Sequence, residues 1–130
     1  MSVTDDRACP CGSGDPYPTC CEPLHDNRVR PTTAEQLMRS RYSASALGRL
    51  DHVFRTWHPR TRPQQVEPSH GLTWTGLTIL ATEAGLSGDD EGVVEFEAAY
   101  RTSAGPGVLR ERSRFIRRAG RWCYLDGKVT

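Results

Sequence analysis

Four of the five cysteines fall within thirteen positions, as Cys9-Pro10-Cys11 followed by Cys20-Cys21. Two disulfides fit this spacing badly. Cys9 and Cys11 are so close that both bridges would close very short loops. Four thiols at this density match a closed metal site, and zinc is the metal that favours four soft ligands in a tetrahedron. Gly12 and Gly14 permit backbone conformations that turn amide N–H groups toward sulfur. Such hydrogen bonds stabilise the excess negative charge of a tetrathiolate centre. Arg7, Arg28 and Arg30 flank the segment and add compensating charge. Cys123 stands alone in a predicted strand and reads as a small buried hydrophobe.

Residues 1–30 are rich in Cys, Pro, Gly and charge and show no sustained periodicity. Such a segment cannot build a core, so metal is what would order it. The expected division is a zinc knuckle over 1–30 and a globular domain over 31–130. The start of the chain, Met1 to Ala8, is polar and lacks the apolar stretch of a secretory signal. The longest apolar run, near Leu77 to Ala81, is too short to span a bilayer. A cytoplasmic location follows, where thiols stay reduced and clustered cysteines favour metal over disulfides. With 130 residues the chain can bury a core without disulfides. Its formal net charge of +1 gives no global pull toward nucleic acid or acidic lipid.

Pro31 and the pair Thr32, Glu35 form a helix start with a capping box. Leu37, Met38, Tyr42 and Leu47 continue as an apolar stripe at helical spacing. After Gly48, the residues Leu50, Val53, Phe54 and Trp57 predict a second short helix. Pro59, Pro63 and Pro68 mark a loop. The period then changes. Leu77 and Ile79 begin a strand, Gly88 to Gly92 reads as a turn, and Val94, Phe96, Ala98 and Tyr100 form a period-two face opposite Glu95 and Glu97. A Gly105-Pro106-Gly107 turn leads into a strand near Val108 to Ile116, and Gly120 turns the chain into Arg121 to Leu125. Helices followed by an antiparallel meander define an α+β domain.

The run Cys9-Pro10-Cys11-Gly12-Ser13-Gly14, with Tyr17 and Cys20-Cys21, resembles the SEC-C zinc motif, which ends the motor ATPase of bacterial preprotein secretion. The remainder resembles the YchJ-like proteins, a bacterial family without an established activity. The resemblance rests on Leu37-Met38-Arg39-Ser40-Arg41-Tyr42, Thr56-Trp57-His58-Pro59, Trp74-Thr75-Gly76-Leu77, Val94-Glu95-Phe96, Glu111-Arg112-Ser113-Arg114-Phe115 and Trp122-Cys123-Tyr124-Leu125-Asp126-Gly127. It implies a cone similar to nuclear transport factor 2, a curved sheet wrapped by helices. Many members carry a second SEC-C motif at the C-terminus; this sequence reaches Thr130 without one, so a role needing two knuckles is not expected.

In the strand near Val108 to Ile116, Leu109 and Phe115 should face the core, which places Glu111 and Ser113 on the same concave side. Arg41, His58, Trp74, Tyr100 and Tyr124 are candidates for the same cavity. Glu111 is then either a pocket carboxylate or half of an ion pair with an arginine of the first helix. The opposite face carries Arg110, Arg112 and Arg114, with Arg117, Arg118 and Arg121 close behind. Glu95 and Glu97 on the neighbouring strand have the sign to balance this stripe, so nucleic-acid binding is not expected. Two functional readings result. The first is a non-enzymatic adaptor whose knuckle docks on a protein partner or the ribosome, as suggested by the resemblance to the secretion motor's tail. The second is a small-molecule or enzymatic pocket around Glu111. No Ser-His-Asp order, phosphate-binding glycine loop or HExxH motif is present.

Overall fold

The period-two segments pair in sequence order, and that order defines the fold. A computed structural model describes residues 7–130; the expectation made for Met1 to Ala8 lies mostly outside them. Strands β1 (Thr73–Ala84), β2 (Glu91–Thr102), β3 (Gly105–Arg118) and β4 (Arg121–Val129) form one antiparallel sheet ordered β1-β2-β3-β4. Three helices, α1 (Glu22–His25), α2 (Ala34–Leu47) and α3 (Leu50–Arg55), precede it. The architecture is α+β, as expected.

Alternation decides which sheet face is buried. Val94, Phe96 and Ala98 on β2 and Ser113 and Phe115 on β3 are buried, while their neighbours are partly or fully exposed. Helix α2 lies over this face and buries Ala34, Leu37, Met38 and Tyr42 against it. Fully burying one such large side chain contributes about 1.5–3 kcal/mol. The start of α2 sits tight on the sheet. The Ala34 amide donates to the Gly85 carbonyl at 2.9 Å, and a Cβ at Gly92 would stand 2.5 Å from Gly85 Cα. Only glycine at 92 allows that approach.

Several local expectations shift. The N-cap of α2 is Thr33, not Thr32; its hydroxyl accepts from the Gln36 amide at 3.0 Å, and the Gln36 side chain reaches back to the Thr32 amide at 2.7 Å. The sequence satisfies the capping-box spacing twice, at Thr32/Glu35 and at Thr33/Gln36, and the second pair wins. Leu47 is exposed, because α2 runs past the sheet before Gly48 ends it in the left-handed conformation. Helix α3 stops at Arg55, so Trp57 leaves the helical stripe and forms a parallel bridge with Tyr124 on β4. Gly105-Pro106-Gly107 is not a turn. It opens β3, where Pro106 lies opposite Arg101, and the turn falls at Ser103-Ala104. Gly92 likewise belongs to β2 and not to the preceding turn. The β3–β4 connection is the expected tight one. Ala119 and Gly120 have φ of 52° and 79°, the positive pair that matches strand twist in a two-residue hairpin.

Candidate metal centre and cone cavity

The four clustered cysteines come together in space. Their Sγ atoms lie within 4.8 Å of one another, with Cys11–Cys20 at 3.6 Å and Cys20–Cys21 at 3.9 Å. A tetrahedral ion with 2.3 Å metal–sulfur bonds sets its ligands roughly 3.8 Å apart, so the donor set fits such an ion. None of the cysteines is disulfide-bonded. The loop that gathers them is closed by the Cys9 amide on the Asp15 carbonyl (2.8 Å) and an antiparallel bridge between Ala8 and Pro16. Gly12 and Gly14 both have positive φ, which lets the chain double back between Cys11 and Cys20.

Thiol–thiol contacts push the members of the group in opposite directions. Cys11, hydrogen-bonded by Cys21 and Cys9, is held well below the ordinary thiol range. The same contacts push Cys9 up to about 11 and Cys21 higher still, with burial adding to both. A dication bound among the four sulfurs would favour the thiolate form of each, and that is the chemistry a closed metal site supplies.

The cysteine loop is fastened to the helical layer. Arg39 of α2 donates to the Cys11 carbonyl at 2.6 Å and also pairs with Glu35. Among the arginines, Arg39 is thus bonded to the cysteine loop itself. Arg28 pairs with Asp26. Tyr17 donates to His25 Nδ1 at 2.7 Å, and His25 Nε2 faces the Ser40 carbonyl at 2.8 Å. A carbonyl only accepts, so the proton of His25 is on Nε2. Ser40 Oγ donates to the Leu37 carbonyl, so at 2.9 Å it accepts from His52 Nε2. His25 and His52, 4.9 Å apart between ring centroids, are thus both neutral and fully satisfied. Burial lowers His25, and burial together with His25, Arg55 and Arg41 holds His52 down to about 3. Sequence reading missed this network, because its side chains are separated by 8 to 18 residues and carry no local motif.

The concave side of the sheet holds a cavity of about 160 Å³. Of the seven pocket candidates, Arg41, Trp74, Glu111, Ser113 and Tyr124 line it; His58 and Tyr100 do not. His58 lies beyond the end of α3, and its Nδ1 accepts from the Arg60 amide at the surface. Tyr100 faces Gly107 across the sheet, and its ring meets the edge of Trp74 at 6.0 Å. Trp57, which sequence reading assigned to a helix, joins the lining. Glu111 accepts from Ser113 Oγ at 2.6 Å and from the Tyr124 hydroxyl at 3.3 Å. Its carboxylate occupies the space that a side chain at Gly127 would fill. Arg41 makes no ion pair with it within 4 Å. Instead the buried guanidinium donates to the Val53 carbonyl and Thr56 Oγ1, each at 2.8 Å. It also lies 4.6 Å from the Tyr124 ring centre and 5.2 Å from that of Trp57. Burial brings Arg41 down to about 10 and pushes Tyr124 up to about 12. The indole N–H groups of Trp57 and Trp74 are buried without an acceptor.

Three arginines of the outer sheet face are ion-paired. Arg110 pairs with Glu95 at 3.0 Å, Arg112 with Glu83 at 2.6 Å, and Arg114 with Asp126. Glu97, expected to share in this, makes none of these pairs. No helix among the described residues is long and apolar enough to cross a membrane.

A meander wrapped by helices, with a cysteine knuckle fastened to α2, defines a nuclear transport factor 2-like domain carrying a metal-site motif. Comparison with known proteins agrees. Residues 33–127 match the family described as YchJ, middle NTF2-like domain. A UPF0225 protein of Streptomyces coelicolor is 47% identical over 120 residues, covering 92% of this chain and 94% of that one. One from Deinococcus radiodurans is 47% identical over 121 residues, covering 92% and 88%. The solution structure of a SEC-C motif containing protein from Rhodopseudomonas palustris superposes with a TM-score of 0.84 at 30% identity, over 95% of this chain and 99% of that one. The chain belongs to the YchJ-like family.

Proposed function

We propose that the four sulfurs hold one structural zinc ion, and that the protein is a binding module whose ligand seat is the cone cavity. The zinc reading is supported by a donor set of four thiols at tetrahedral spacing, the arrangement of closed structural sites. Elemental analysis of protein purified without added metal should find one zinc per chain. Less than half occupancy with four free thiols would contradict it.

The ligand reading is carried by one observation. The cavity sets a half-buried carboxylate, with no cationic partner within 4 Å, against an aromatic wall of Trp57, Trp74 and Tyr124. A volume of about 160 Å³ lies below the range for drug-sized ligands, about 300–1,000 Å³, so the ligand is small. It should offer a hydrogen-bond donor to Glu111. Among the described residues lining the cavity there is no histidine and no second carboxylate, which favours binding over acid–base chemistry. The indole cross-peaks of Trp57 and Trp74 in a nitrogen–proton NMR spectrum are direct reporters. Compact amides and amines should shift both, and Glu111→Gln should remove the shifts. A collection of such compounds that moves neither peak, or moves them equally in the variant, would overturn the reading.

The exposed knuckle tip, Gly12 to Asp15, favours a second reading as an adaptor toward a protein partner or the ribosome. Capture of the same partners by wild type and by a Cys9→Ser, Cys11→Ser variant would remove it.

A further inference from the structure

A second concavity, of about 400 Å³, lies between α3 with its following loop and the β3–β4 turn. Five arginines line it, Arg30, Arg55, Arg62, Arg118 and Arg121, and no aspartate or glutamate does. Arg55 is paired with Asp51 at 2.7 Å. Among the described residues, no carboxylate lies within 4 Å of the other four guanidinium groups. Arg62 rests 4.1 Å from the centre of the Phe54 ring, a contact that holds the cation in place without neutralising it.

The contrast with the sheet face is what gives this cluster meaning. There, Arg110, Arg112 and Arg114 each meet a carboxylate. Around the hollow, by contrast, Arg30, Arg62, Arg118 and Arg121 stand together with no carboxylate in the lining. Gathering like charges is unfavourable on its own, and an anion reverses the sign. Guanidinium forks match phosphate oxygens two at a time. Trp57, Pro59 and Val29 supply apolar wall beside the cations, a seat for an organic group.

We infer that this groove binds a phosphate-bearing small molecule with two or more negative charges, held by Arg62, Arg118, Arg121 and Arg30. The shape and the charge balance favour a small ligand over a nucleic-acid strand. The cations converge on one hollow, and the formal net charge of +1 leaves no wider basic surface for a polymer to follow. This site is separate from the cone cavity, with Trp57 standing in the wall of both.

Calorimetric titration of the full chain with inorganic pyrophosphate at low salt tests the inference. Saturable binding of one pyrophosphate per chain is expected. Arg62→Ser with Arg118→Ser should weaken it at least about tenfold, since each removes a charge-assisted contact. Arg118→Ser with Arg121→Ser changes only exposed side chains and repeats the test without risk to the fold. Arg112→Ser, on the ion-paired sheet face, and Glu111→Gln, in the cone, should leave binding unchanged. That keeps the outcome independent of the cone reading. Absence of saturable binding, or wild-type affinity in both arginine pairs, would overturn the proposal. So would a single-stranded oligoribonucleotide binding more than about a hundredfold tighter than pyrophosphate, with a steeper salt dependence.

Discussion

The knuckle and the cone are ordered by different physics, though they share one chain. The cone buries Leu37, Val94, Phe96, Phe115 and Trp122 in one continuous core. The described part of the knuckle buries Cys9, Cys11 and Cys21 as a small cluster, with Tyr17 and Cys20 packed against them, and adds Leu24 and His25 from α1. In one region apolar surface offsets the entropy of folding; in the other, on the proposed zinc reading, metal–sulfur bonds do. Between them runs a polar seam, Arg39 to Cys11 and Tyr17 through His25 to Ser40 and His52. A fully satisfied seam of this kind fixes geometry more than it adds stability.

The largest effect should come from the metal ligands. Cys11→Ser removes a fully buried sulfur from the centre and should take zinc from one per chain to none. The apparent binding free energy at stake is about 10–16 kcal/mol for structural zinc sites, and all of it resides in the knuckle. The sheet's circular dichroism should survive. Loss of the sheet signal in Cys11→Ser would break the comparison.

The converse change acts on the cone. Phe115 is almost fully buried, and Phe115→Ala should cost about 3–5 kcal/mol in denaturant unfolding. A cost below about 1 kcal/mol would show that the core is not what holds the sheet.

Acid should loosen the seam next. His52 is neutral in the fold, with a pKa lowered to about 3, against an ordinary value near 6.5. A lowered folded-state pKa means that the unfolded chain binds the proton more readily. Stability is then complete above pH 6.5 and lost as pH falls from there toward 3. Between pH 6.5 and 4.5 the loss should be about 2 kcal/mol. Because acid also releases metal from thiolates, the measurement belongs in Cys11→Ser, where the same slope should persist. A flat profile in that variant would assign the acid sensitivity to the metal alone.

The smallest effect expected is that of Glu111→Gln. Its carboxylate has no ion pair to lose, and glutamine keeps an acceptor for Ser113 and Tyr124. Thermal unfolding at neutral pH should register about 1 kcal/mol or less. A loss of about 3–5 kcal/mol would restore the buried ion pair with a helix arginine.

Much of this was legible in the residues themselves. The cysteine cluster needs only spacing, the β2 face only alternation, and the inward side of Glu111 only the parity it shares with Leu109 and Phe115. What was not legible depends on partners far along the chain. Arg39 looks like a solvent residue of α2 until the Cys11 carbonyl is placed beside it. Trp57 continues a helical stripe until β4 offers Tyr124 as a bridge. Gly105-Pro106-Gly107 carries a turn composition, but pairing with β2 extends the strand through it. The basic groove combines residues from the knuckle linker, α3, the proline loop and the hairpin turn, which no single stretch of sequence displays together.

Amide hydrogen exchange, followed along the chain before and after chelation, tests the two-region account most directly. Zinc removal should abolish protection from about Cys9 through the α1 turn and leave the amides of β2 and β3 protected as before. Loss of protection in β2 and β3 at the same rate as in the knuckle would contradict it.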